Sequence, residues 1–212
     1  MKVKFSAWLC LTALILTISN FAVAQTPDEV QIGTQIWMTK NLDVSKFRNG
    51  DPIPEAKTDE EWVKAGENKQ PAWCYYDNNS NGAPYAKLYN WYAVNDPRGL
   101  APHGYHIPSN SEWVILTDFL GGESFAGKKL KGTMRWRDNG NGNNESGFNG
   151  LPGGRRHGKG KFSFSEQYGY WWTSTEYNVD FARRRGLYYN FDIVYNSYYG
   201  KENGLSVRCL KD

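Results

Sequence analysis

"YGYWWTSTEY" (168–177) carries Tyr168, Tyr170, Trp171, Trp172 and Tyr177 in one short run. Read as a strand, its alternation puts Tyr168, Tyr170, Trp172 and Ser174 on one face. Gly169, Trp171, Thr173 and Thr175 fall on the other. A wall for stacking sugars would keep its rings on one exposed face. An indole on each face suits a central strand covered from both sides, where each buried ring contributes roughly 1.5–3 kcal/mol or more. The stretch therefore reads as the structural centre of a sheet. The search for function moves to the Asn/Gly-rich and Arg-rich loops around residues 136–160.

Short strands separated by Gly/Asn turns surround that centre: "GFNGLPGG" (147–154), "GLYYNFDIVY" (186–195) and "LSVRCL" (205–210). From Gly132 onward no helix is expected. The first half differs. "VQIGTQIWM" (30–38) reads as a hairpin turning at Gly33-Thr34, and "AWCYY" (72–76) and "LYNWYAV" (88–94) as extended segments. In "TDEEWVKAG" (58–66), Thr58 caps a short helix, Glu61 completes a capping box and Gly66 ends it. In "PSNSEWVILTDFLGG" (108–122), Ser109 caps and Glu112 completes the box. Trp113, Leu116 and Leu120 line one face, and Gly121-Gly122 stop the helix. "SFAGKKLKG" (124–132) is a weaker helical segment. The expected fold class is α+β, mainly antiparallel short strands with two or three short helices in the first half.

The N-terminus reads as a secretory signal peptide over residues 1–24. Lys2 and Lys4 precede the apolar Phe5–Ile18 run, and Ala22-Val23-Ala24 gives a cleavage site between Ala24 and Gln25. Cys10 lies inside the apolar run rather than at a cleavage point, which argues against a lipoprotein. Residues 25–29 read as a short linker and 30–212 as one domain. The expected locations are periplasm, cell surface or medium, with no integral membrane span. Loss of Lys2 and Lys4 lowers the net charge of +3 by two, which gives nucleic acid no basic surface to bind. In an oxidising compartment Cys74 and Cys209 are candidates for one disulfide, worth roughly 4–5 kcal/mol for so long a loop. Two buried thiols are the alternative.

Candidate chemistry is sparse. "DNNSNG" (77–82) spaces Asp77, Asn79 and Asn81 like the first half of a calcium loop, but the closing position holds Leu88 in place of Glu. An Asx turn is the plainer reading, so calcium is a weak expectation and no cofactor the main one. Asp138, Asn141, Asn143 and Glu145 form a second oxygen-rich cluster. His103 and His106 lack a third zinc ligand nearby, since His157 is far along the chain. No nucleophile elbow or phosphate loop occurs, and no catalytic residue is assigned. "GGRRHGKG" (153–160) is a basic turn: a solvated loop in the plain reading, or one that presents Arg155, Arg156 and His157 to an acidic ligand. With Trp136 and Asp138 these are the candidate ligand contacts.

Seven ordered blocks resemble a known family: "QIWMTKNLDV" (35–44), "WCYYDNN" (73–79), "LYNWYAV" (88–94), "GYHIPSNSEW" (104–113), "NESGFNGLPGGRR" (144–156), "YGYWWTSTE" (168–176) and "SVRCLKD" (206–212). The sequence resembles the Fibrobacter succinogenes major paralogous domain, a family of secreted and surface proteins of Bacteroidetes and Fibrobacteres. One departure is Ala101-Pro102 where the resemblance implies Cys-Pro before "GYHIPS"; if that cysteine is the usual partner of the terminal Cys, a Cys74–Cys209 bridge is either a substitute or absent. The family in turn looks similar to C-type-lectin-like folds of the formylglycine-generating-enzyme type, through "HIPSNSEW" (106–113) and "SVRC" (206–209). That implies paired N- and C-terminal strands, flanking helices and a loop-rich ligand region. The EPN and WND calcium–sugar motifs of true lectins are absent, as is a metal-binding thiol pair for oxidase chemistry. The expected function is a secreted or cell-surface, non-enzymatic binding module recognising a glycan or an envelope protein through its loop face. The alternatives are a structural component of an envelope assembly and an extracellular polysaccharide-active enzyme.

Overall fold

The computed structural model of the chain describes residues 1, 28–79 and 84–212. Ala24, Gln25 and the rest of the expected signal peptide lie outside the described residues, apart from Met1. In chain order the elements are β1 (Glu29–Ile32), β2 (Gln35–Met38), α1 (Asp59–Glu67), β3 (Trp73–Cys74), a 3₁₀ turn (Tyr76–Asn78), β4 (Leu88–Tyr89), α2 (Trp91–Val94), β5 (Tyr105–His106), α3 (Asn110–Phe119) and α4 (Ala126–Leu130). Then follow β6 (Gly153–Arg156), β7 (Phe162–Ser165), β8 (Tyr168–Glu176), β9 (Phe181–Tyr188), β10 (Val194–Gly200) and β11 (Leu210–Lys211). The class is α+β with mostly antiparallel strands, as expected; the β6–β8 pair is parallel.

The capping chemistry works as the sequence implies. The Thr58 and Ser109 side chains accept from the Glu61 and Glu112 backbone N–H groups, and both glutamates reach back to the cap. Trp113, Leu116 and Leu120 are all buried. Gly66 does not end α1, which runs on to Glu67 and is capped by Asn68; Gly66 instead packs against the Glu202 side chain. "LYNWYAV" is not one extended segment. After β4 the Asn90 side chain accepts from the Ala93 N–H and starts α2. "GLYYNFDIVY" is likewise not one strand but the corner at 189–193 between β9 and β10.

A four-stranded sheet runs β1-β2-β11-β5, with the β1–β2 hairpin turning at Gly33-Thr34 as expected. Leu210 of β11 pairs with both Trp37 and His106. A five-stranded sheet runs β10-β9-β8-β6-β7. β8 is its middle strand, and the indoles take opposite sides. Trp171 packs with Trp37, Trp113 and Phe148 in one cluster, and Trp172 with Tyr89, Trp91 and Leu205 in another; both are 0 % exposed. Edge-on ring contacts tie the first cluster together, Trp37 to Trp113 at 5.1 Å and Phe148 to Trp171 at 5.8 Å. Each indole also satisfies its N–H: Trp171 donates to Asn41 Oδ1 and Trp172 to Tyr89 O, both at 2.8 Å.

Candidate functional site

The Arg-rich segment is not a flexible loop. Residues 153–156 form β6, paired with β7, and Arg156 is fully buried. Its Nε donates to Gly160 O at 2.9 Å, Nη1 to Ala56 O at 2.7 Å and Nη2 to Thr58 O at 2.8 Å. The guanidinium also lies 4.9 Å from the Trp62 ring centre and 4.7 Å from that of Phe162. Every nitrogen is engaged within the fold, so Arg156 clamps the β6–β7 hairpin onto the start of α1 and offers nothing to a ligand. His157 is half-buried; its Nδ1 accepts from the Lys159 N–H at 3.1 Å inside the same turn.

Trp136 is also buried, its Nε1 donating to Gly150 O at 3.1 Å. Asp138 is exposed and 3.0 Å from Arg137 Nε. With residues 139–141 and the 189–192 corner it borders a polar cleft of about 340 Å³. Lys131 underlies this cleft, its Nζ donating to Tyr188 O (3.3 Å) and Phe191 O (3.0 Å) and standing 3.3 Å from Asp192. Burial lowers its pKa, against the pull of Asp192. Trp136 and Lys131 are thus the underpinning of the cleft, and Asp138 is on its rim.

The oxygen-rich turn holds no closed cage among the described residues. Asp77 and Asn79 are exposed at the 3₁₀ turn, and Asn81 lies outside the described residues. Among the described residues no group of three or more His, Cys, Asp or Glu gathers to hold a metal. His106 meets Asp212 through Nδ1 (2.8 Å) and Glu112 through Nε2 (2.9 Å), on opposite sides of its ring. The candidate disulfide is not formed. Cys74 and Cys209 are both free and buried, Cys74 beside Trp62 and Leu88, and Cys209 in the cluster that also holds Ala101. Burial pushes each thiol up to about 12, so neither is a nucleophile at neutral pH.

A different set of residues does converge. β8, β9 and β10 direct Tyr168, Tyr188 and Tyr195 to the face that also carries Tyr170 and Tyr199. Their registers place Tyr168 opposite Tyr188, and Gly186 opposite both Tyr170 and Tyr195. Tyr168 and Tyr188 lie 4.3 Å apart, and Tyr188 and Tyr195 stack at 4.1 Å with an interplanar angle of 22°. Phe164 extends the row, 4.9 Å from Tyr168, from a backbone φ of +70° that a bulky side chain rarely adopts. All four of these rings are half-buried.

Two arginines stand beside the row. The Arg184 guanidinium is 4.8 Å from the Tyr170 ring centre and 4.5 Å from that of Tyr199; Arg155 is 4.6 Å from Tyr199. Arg155 on β6 and Tyr199 on β10 are three strands apart, about 14 Å in a flat sheet, so their contact shows that the sheet curls and this face is concave. Gly186 has no side chain to fill the space that Arg184 Nη1 occupies. Arg184 is 4 % exposed, yet its Nε and Nη1 have no hydrogen-bond partner. Its one bond is a long one, Nη2 to Tyr188 Oη at 3.4 Å. Burial, together with the hydrogen bond to Tyr199, pushes the Tyr170 hydroxyl far up, so it stays a neutral donor.

Sequence alone sets Tyr168 aside with the indoles beside it, and gives no role to Arg184, Tyr188 or Tyr195. A signal was there in the period-two spacing of Tyr195, Ser197 and Tyr199, which lie on one strand face. It is masked because "GLYYNFDIVY" (186–195) reads as one continuous strand, whereas residues 189–193 form a corner.

No curated protein and no solved structure matches the chain. A family model described as the Fibrobacter succinogenes major domain matches residues 30–211. The chain belongs to that family.

Proposed function

We propose that the protein is a non-enzymatic, exported binding module that recognises a glycan or envelope protein through the concave tyrosine–arginine face and the adjoining 138–141 and 189–192 loops. The observation that carries this is the half-buried row Phe164–Tyr168–Tyr188–Tyr195, of which Phe164, Tyr168 and Tyr188 are seated against the buried core. Stiff amphipathic rings give large contact area at low entropic cost, and Tyr and Arg are enriched where binding energy concentrates. A C-type-lectin-like arrangement is part of the proposal, supported by the pairing of the N-terminal hairpin with β11.

Glycan arrays and pull-downs from envelope extracts test it, run in parallel on the wild type and on a Tyr168/Tyr188/Tyr195 triple alanine variant. Ligand capture that the triple variant loses is the expected result. No ligand at millimolar glycan and no captured protein would sink the reading. A structural role in an envelope assembly is the second reading, favoured by the exposed Ile115, Phe119 and Phe125 on and beside α3. Crosslinking in cells that traps a stable complex through those three residues, with the tyrosine face dispensable, would select it.

A further inference from the structure

We propose that the concave face takes an acidic sugar, a hexuronate unit whose pyranose ring packs against the tyrosine row and whose carboxylate is held by Arg155 in the field of the buried Arg184. This rests on the binding-module reading and specifies its ligand.

The first argument is charge. Every buried arginine other than Arg184 has a carbonyl or carboxylate acceptor in the fold. Arg156 has three carbonyls, Arg185 has Glu123 and Asn110 O, and Arg208 has Asn41 Oδ1, Met38 O and Phe148 O. Arg184 has only a tyrosine hydroxyl. Arg155 has one long bond, Nε to Ser163 Oγ at 3.4 Å. Among the described residues no carboxylate pairs with either. Two guanidiniums flanking one ring with no counter-charge favour an anion there, and a carboxylate can accept from the half-buried Arg155. Half-buried Arg155 makes the outer contact. Arg184, walled by rings, adds a positive field in a region of low dielectric.

The second argument is shape. In a hexuronate the carboxylate is attached directly to the pyranose ring, so the stacking C–H face and the charge are a fixed short distance apart. The site offers the same pairing, with Arg184 within 5 Å of the Tyr170 and Tyr199 ring centres and bonded to Tyr188 of the row. An acidic peptide carries its carboxylates on flexible stems and needs no row of rings beside them.

Calorimetric titration of the purified protein with oligogalacturonate, its methyl ester and a poly-glutamate peptide tests this. The free acid is expected to bind, with the ester weaker by about tenfold or more. Raising salt from about 0.05 M to about 0.5 M is expected to weaken the free acid severalfold and leave the ester nearly unchanged. Arg155→Gln is expected to lose about tenfold for the free acid alone. Arg184→Met is read in the same way once its melting curve matches the wild type; Arg155→Gln, at a half-buried position, carries the test if it does not. Equal binding of ester and acid, or wild-type binding by Arg155→Gln, overturns the acidic-sugar assignment. Loss of that binding in the triple tyrosine variant would still uphold the binding-module reading. Tighter binding of poly-glutamate, or no binding of the free acid, also overturns the assignment, and the array and pull-down screens judge the wider reading separately.

Discussion

Arg156 and Arg184 are both buried, both flanked by aromatic rings and both on the curled sheet, yet they are opposite in kind. Around Arg156 the fold supplies a carbonyl for each part of the guanidinium and closes two rings over it. Around Arg184 it supplies rings and leaves Nε and Nη1 without a partner. Burial alone therefore does not separate a structural cation from a functional one. Accounting for each donor does.

The sharpest way to break this contrast is to remove each guanidinium in turn. Arg156→Met is expected to destabilise by ~3–5 kcal/mol, since it strands the carbonyls of Ala56 and Gly160 in the interior. Urea unfolding measures it, and a loss under ~1 kcal/mol would mean that those carbonyls find other donors. Trp171→Ala and Trp172→Ala are expected to cost a similar ~3–5 kcal/mol each, which marks the sheet under both arginines as structural. Near-wild-type melting of either would return the indoles to the list of binding residues.

Smaller effects refine the picture. Ser109→Ala is expected to cost ~1 kcal/mol through the lost cap of α3. Thermal melts against pH probe His106. Burial opposes its charge, but the hydrogen bonds to Asp212 and Glu112 outweigh burial and raise its pKa above 6.5. Its contribution is then complete below pH 6.5, the unfolded value, and fades as pH rises through the raised folded value. His106→Gln should flatten that decline, and an unchanged slope would place its origin elsewhere. Arg184→Met comes last because its expected effect on stability is near zero or slightly favourable, as an apolar chain suits a site whose one acceptor is a distant tyrosine hydroxyl. A loss as large as that of Arg156→Met would erase the distinction between the two regions.

Short-range chemistry was the legible part of this fold. The boxes at Thr58–Glu61 and Ser109–Glu112, the Gly33-Thr34 turn and the two-sided indoles all depend on neighbours within a few residues. Asn90 capping α2 was equally local, but the run of aromatic residues around it imitates a strand. The arginines were not legible. Arg155 and Arg156 are adjacent and alike in sequence, yet the acceptors that bury Arg156 come from Ala56 and Thr58, about a hundred positions earlier. Arg184 likewise gains its role from Tyr170, Tyr188 and Tyr199 meeting only when the sheet curls.

The place of β11 also sets a timetable. Leu210 lies between β2 and β5, so the four-stranded sheet lacks an inner strand until residues 210–211 have been synthesised. Trp37, on a strand made near the start, pairs locally with Val30 but has to wait for its second partner, more than 170 positions later. Pairing at such long separation slows folding. The four-stranded sheet therefore closes only after nearly all of the chain has been made.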